Sequence, residues 1–188
     1  MITNMKAIKF LTLALVASLL FISCDDDAPD EVNEEELITQ VIVTLVPVGA
    51  GDTVTMTATD LDGEEGPNPP VYDVSGPLAA GVSYSGTVEF WNTTEDPAED
   101  ITIEIGEEDD EHQVFYIPNG TLDVTVDYED MDANNNPVGL DFTVNAGVVS
   151  DGTLNVVLRH EPNKPNDGTL ADAGGSTDID VTFDVEVQ

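Results

Sequence analysis

The stretch Asp180-Val181-Thr182-Phe183-Asp184-Val185-Glu186-Val187 alternates apolar and polar side chains without a break. A period of two puts Val181, Phe183, Val185 and Val187 on one face of a strand and the acids on the other. β-Branched and aromatic residues suit such a half-buried strand. The same reading extends outward. In Thr53 to Thr59, Val54, Met56 and Ala58 alternate with threonine; in Thr121 to Asp127, Leu122, Val124 and Val126 alternate with polar residues. Gly and Pro-Asn punctuation spaces these runs as in a sandwich of antiparallel sheets.

Comparing the runs uncovers an internal repeat. Gln40-Val41 opens a run ending at Pro47-Val48-Gly49, and Gln113-Val114 opens one ending at Pro118-Asn119-Gly120. Asp60-Leu61-Asp62 pairs with Asp130-Met131-Asp132. Gly86-Thr87-Val88 pairs with Gly152-Thr153-Leu154, and Asp100-Ile101 with Asp178-Ile179. The matches run in one order, giving halves of about 34–105 and 107–188, each read as five strands. The segment Glu99 to Glu111 is the ambiguous one. Pro97 followed by acids can open a helix, but Ile101, Ile103 and Ile105 alternate, so the expectation is a strand. A half of about 70 residues buries a marginal core. The expected fold is therefore all-β: one antiparallel β-sandwich of about ten strands over 37–188, built from two five-strand halves.

The 188 residues carry 39 acids and only 4 bases, for a net charge of −35. The bases are Lys6, Lys9, Arg159 and Lys164. Such a balance excludes nucleic-acid binding, which needs clustered Lys and Arg to neutralise phosphates. It equally excludes a polybasic membrane patch. Lys6 and Lys9 precede an apolar run from Phe10 to Ile22, and no acid occurs before Asp25. This is the pattern of a secretory signal; a run of about 13 residues is short of the roughly 20 that span a bilayer. Phe21-Ile22-Ser23-Cys24 resembles a bacterial lipobox. The resemblance implies a signal peptide over 1–23 and a lipidated Cys24, hence a bilayer partner through an N-terminal acyl anchor. Residues 24–36 read as a flexible acidic tether. Asp25-Asp26-Asp27 resembles the export signal of surface lipoproteins in Bacteroidota. Cleavage before Cys24 leaves 165 residues with two bases and 39 acids, a charge of −37.

Two histidines stand out among the acids. His112 begins the first strand of the second half and His160 ends its fourth, so alternating strand directions bring both to one pole. The loop between that half's second and third strands brings Asp130 and Asp132 to the same pole; Glu111, Glu161 and Asp178 fall near it. The counterparts of the histidines in the first half are Thr39 and Thr94. His112, His160, Glu111, Glu161, Asp130 and Asp132 form a candidate set for a divalent transition metal, zinc or copper. The bland alternative is strand-end histidines paired with acids.

Asp60-Leu61-Asp62-Gly63-Glu64 and Asp130-Met131-Asp132-Ala133-Asn134 echo the start of a calcium loop. Neither completes an EF-hand, because its sixth position holds Glu65 or Asn135 where Gly is expected. Asx turns explain the same residues without an ion. Asp60, Asp62 and Glu64 remain the weaker, calcium-like group. Trp91, Tyr72, Tyr84, Tyr116 and Phe115 serve either a ligand groove or the core. No Gly-rich phosphate loop or nucleophile–base constellation is present, and an enzyme is not expected.

Several segments in order resemble a flavobacterial lipoprotein family labelled "type 1 periplasmic binding fold superfamily protein". They are Asp60-Leu61-Asp62-Gly63, Glu111-His112-Gln113-Val114-Phe115-Tyr116, Pro137-Val138-Gly139-Leu140, Leu158-Arg159-His160-Glu161-Pro162 and Asp180-Val181-Thr182-Phe183. The label implies an α/β ligand-binding fold. The chain lacks alternating helices and strands, so the all-β expectation stands. Members also resemble accessory lipoproteins of TonB-dependent uptake, which implies an outer-membrane receptor as partner. The expectation is a non-enzymatic binding or accessory lipoprotein of the outer membrane, facing the periplasm or the cell surface. The alternative is a structural or adhesive surface module with calcium-stabilised loops.

Overall fold

The computed structural model describes residues 37–63 and 66–188. The signal sequence, Cys24, the acidic tether and Glu64 lie outside the described residues. Among those described, no helix is long and apolar enough to cross a membrane.

Among the described residues, ten strands and two short helices follow one another in the order β1 (Gln40–Pro47), β2 (Val54–Thr59), β3 (Val71–Val74), β4 (Ser83–Asn92), β5 (Glu99–Asp100), α1 (Ile101–Glu107), β6 (His112–Gly120), β7 (Val124–Tyr128), β8 (Asp141–Ala146), β9 (Ser150–His160), α2 (Leu170–Ala173) and β10 (Ser176–Val187). A seven-stranded sheet runs β3-β2-β1-β4-β8-β7, with β5 beside β4; a three-stranded sheet runs β10-β9-β6. Every strand pairing is antiparallel. The protein is an all-β sandwich, as its alternating runs predict, and the α/β architecture implied by the family label is not present.

Alternation carries through to burial. Val181, Phe183, Val185 and Val187 point inward from β10, and Val54, Met56 and Ala58 from β2. One hydrophobic cluster draws Leu45, Met56 and Phe90 from the first half and Phe142, Leu158 and Phe183 from the second. Fully burying one such side chain is worth about 1.5–3 kcal/mol. Gly86 of β4 faces Phe142 of β8 so closely that a Cβ would overlap the ring. The described residues belong to a single compact unit.

The pairing pattern repeats between halves, with one exchange. β1 pairs β4, β4 pairs β5 and β2 pairs β3; likewise β6 pairs β9, β9 pairs β10 and β7 pairs β8. The first half keeps its β1–β2 pair. The β7–β8 hairpin instead leaves β6 and docks β8 on β4. The edge of β4 is open to it because β5 is two residues long, where its counterpart β10 has twelve.

The expected strand over Glu99 to Glu111 is therefore corrected: it is a two-residue bridge followed by helix α1. Asp100 caps the helix, its carboxylate accepting from Thr102 N at 3.1 Å. Ile101 and Ile105, four apart, share the buried face while Ile103 is exposed. The Thr102 hydroxyl accepts from Phe90 N (2.8 Å) and donates to Phe90 O (3.2 Å), occupying the β4 edge that a longer strand would have paired.

The outer edge of β6 is met by the 137–139 segment. Val114 N donates to Val138 O (2.7 Å), Tyr116 Oη to Gly139 O (2.7 Å) and Tyr128 Oη to Val114 O (2.9 Å). Burial pushes the Tyr116 phenol well up and that of Tyr128 up to about 12, so both remain donors at neutral pH.

Candidate metal centre

His112 and His160 are register partners at the end of the β6–β9 ladder. Direct opposition in an antiparallel pair brings side chains together, and the two imidazoles stack, with centroids 4.7 Å apart and planes 14° from parallel. Both lie on the face that carries Val114, Tyr116, Val156 and Leu158 into the core. His112 is 0% exposed and His160 3%. In the first half Thr39 stands where His112 does, and its Oγ1 lies 3.0 Å from Thr93 Oγ1. Gln40 opposes Trp91 in the first half as Gln113 opposes Arg159 in the second, so the structural counterpart of His160 is Asn92, two residues before the Thr94 read from the repeat.

The corrected helix positions the first histidine. The turn after α1 places the carbonyl of Glu108 3.2 Å from His112 Nδ1. A carbonyl only accepts, so Nδ1 carries the proton and Nε2 is the ring's ligand atom when the imidazole is neutral. Metal-binding histidines characteristically donate their second nitrogen in this way.

Asp178 completes the group. The β9–β10 register shifts between Thr177 and Ile179, leaving Asp178 as the extra residue of a bulge. Bulges bend a strand and re-aim a side chain. Ligand atoms of His112, His160 and Asp178 lie within 4.8 Å of one another. A zinc ion about 2.0–2.1 Å from each ligand needs them within about 4.2 Å of one another.

Glu111 and Glu161 form a second group with His160, nearer the surface. Glu111 Oε2 is 3.8 Å from His160 Nε2, and Glu161 N donates to Glu111 O at 2.7 Å. Gly175 lets the returning chain pass here: it has φ +70°, and a Cβ would overlap the carbonyls of His160 and Glu161.

Asp130 and Asp132 join neither group. Asp130 accepts from Gly139 N (2.7 Å) and Leu140 N (2.8 Å), closing the loop that covers β6. Asp132 accepts from Asn134 N and Asn136 N, both at 2.8 Å, and from the Asn136 side chain. Lys164 lies 3.6 Å from Asp132, with both side chains buried, and donates to Asp109 O at 2.6 Å. Asn135 supplies the left-handed turn (φ 64°) that a calcium loop takes from glycine, yet the positive charge beside Asp132 is an ammonium. Burial works to raise the Asp132 carboxyl. Hydrogen bonds from Asn136 and Asn134 and the charge of Lys164 outweigh it and hold the carboxyl below its ordinary value.

In the first loop, Asp60 accepts from Asp62 N at 3.3 Å, and Asp62 accepts from Asn68 N and Nδ2 at 3.2 and 2.8 Å. The Asp60 contact is the expected Asx turn, and the Asp62 contacts close the loop onto Asn68. Of the aromatics, Phe115, Tyr84 and Tyr116 are buried, whereas Tyr72 is exposed.

The fold and the site together define an acidic β-sandwich with a buried two-histidine, one-aspartate centre. Comparison with protein-family models, with curated proteins and with solved structures returns no match to this chain.

Proposed function

We propose that this protein is a non-enzymatic metal-binding accessory module, held at the outer membrane through a lipidated Cys24. It takes a divalent transition metal, zinc or copper, at His112, His160 and Asp178. The observation that carries this reading is the buried, stacked His112–His160 pair with the Glu108 carbonyl on His112 Nδ1. Two imidazoles and one carboxylate are a borderline-soft donor set that suits zinc and copper over calcium. Three protein ligands leave a coordination position for water or for a group brought by a partner. Glu111 and Glu161 stand at the surface side of His160, where carboxylates attract an incoming cation.

Calorimetric titration of zinc into the full chain tests the reading. The wild type binds one equivalent at the buried centre. His112→Ala/His160→Ala loses that affinity by about 100-fold or more, and the volume-conserving His160→Gln loses it without a packing defect. Equal binding by all three proteins would contradict the proposal.

A further inference from the structure

Lys164 is the one lysine that follows Lys9 in a chain with 39 acids. Rather than spreading over the acidic surface, its side chain is buried 3.6 Å from Asp132 Oδ2, with Nζ donating to Asp109 O at 2.6 Å. Lysine is almost never buried without a specific partner. The same oxygen, Asp132 Oδ2, also accepts from the Asn136 amide Nδ2 at 3.0 Å. One carboxylate oxygen therefore serves both an amine and a carboxamide, and Asp132 and Asn136 are buried with the lysine.

The loop holds the carboxamide in place. Asp132 N donates to Asn136 O and Asn136 N to Asp132 Oδ1, both at 2.8 Å. The first half builds the same pair without the amine: Asp62 accepts from Asn68 Nδ2 at 2.8 Å, at the surface. Asp96-Pro97 follows Asn92 there by the spacing at which Lys164-Pro165 follows His160, so an aspartate stands where the second half has its lysine. Burial disfavours the ammonium and lowers the Lys164 pKa, against the charges of Asp132 and Asp109. A desolvated lysine is a nucleophile. The ionised Asp132 is a base and a poor electrophile, whereas the neutral carboxamide of Asn136 can accept an attack.

We propose that Lys164 and Asn136 become joined by an isopeptide bond that the protein forms on itself, with Asp132 carrying the proton. Asp132 Oδ2 takes a proton from the Lys164 ammonium. The freed Nζ lone pair forms a bond to Asn136 Cγ, the Cγ–Nδ2 bond breaks, and Asp132 delivers its proton to the departing nitrogen. Nζ gives up a second proton, so the nitrogen leaves as ammonium and Asp132 ends as the carboxylate; nothing is oxidised or reduced. Fixing the groups side by side replaces a bimolecular encounter, which makes a slow reaction of an amide accessible. A cavity of about 400 Å³, lined by Asn136 and Lys164 together with Asp110 and Pro162, gives the ammonium an exit. The new amide N–H then stands beside Asp132 in place of the lysine charge. Asn136 lies between β7 and β8 of the seven-stranded sheet, and Lys164 follows β9 of the three-stranded one. The bond therefore clips the two sheets together and, like a disulfide, restricts the unfolded chain. With one cysteine, the chain has no disulfide of its own to do this. The inference does not rest on the metal reading.

Peptide mass mapping of the folded full chain, cut after Asp and Glu, tests this. A branched peptide is expected that joins Asn136 to Lys164 and is lighter than its two arms by one ammonia. Lys164→Arg and Asn136→Ala lose the branch, and Asp132→Ala forms it about 100-fold more slowly or not at all. Circular dichroism checks that each variant folds, and the wild type should melt above Lys164→Arg. Unlinked peptides from the wild type, with the Lys164 amine open to acylation after denaturation, would overturn the proposal. So would a branched peptide lighter by one water, which would place the bond at Asp132.

Discussion

Asp132 is buried in a chain of 39 acids and 4 bases, and it is held ionised by amide donors and Lys164. Its folded pKa is depressed below the ordinary value of 3.8. The stability it contributes is therefore present above the unfolded pKa and is lost as pH falls through the folded one. Asp132→Asn should melt below the wild type at about pH 6, and the gap should narrow toward about pH 2.5; circular dichroism melts at both pH values check this, and a constant gap would contradict it. Other residues differ in how far the sequence discloses them. The histidine pair was legible because one residue starts a strand and the other ends its antiparallel partner. Asp178 falls near that pole in sequence, but its role as a ligand is not legible there, because a bulge shifts side-chain parity and leaves no periodic trace. Asp130 and Asp132 were drawn toward the histidines by loop position alone, and their loop's own amide groups claim them.

At the scale of elements, the instructive segment is α1. Ile101, Ile103 and Ile105 fit a period of two, and Ile101 and Ile105 fit a helical face equally well. The capping carboxylate of Asp100 and the threonine two residues on decide for the helix, and Ile103 is left exposed. The repeat misled here, since β5 and β10 are counterparts in pairing but not in length. Asp100→Ala removes the cap and should cost about 1 kcal/mol, read as a lower melting temperature. Because the turn after α1 supplies the Glu108 carbonyl to His112 Nδ1, the same substitution should also weaken zinc binding. Lost stability with unchanged zinc affinity would uncouple the helix from the site.

At the scale of the molecule, the two halves are interlocked rather than stacked. β8 of the second half completes the sheet of the first along β4, and the core cluster takes large side chains from both. The ten-strand sandwich was legible from alternation and repetition; the exchange of the β7–β8 hairpin was not, because every strand involved alternates equally well in either sheet. Fragments 37–105 and 107–188 should each fail to give a cooperative melt or dispersed amide spectrum. Their mixture should recover both if the interlock forms in solution, and a folded isolated half would refute the arrangement. The acidic surface then acquires a layout. Carboxylates flank the histidine centre, while Lys164 is buried against Asp132.

The central claim is that His112, His160 and Asp178 bind one transition-metal ion together. X-ray absorption fine structure of the zinc-loaded full chain tests it directly. The account predicts two imidazole nitrogens and carboxylate or water oxygens at about 2.0–2.1 Å, with the imidazole scattering lost in His112→Ala/His160→Ala. A shell of oxygens alone would contradict it.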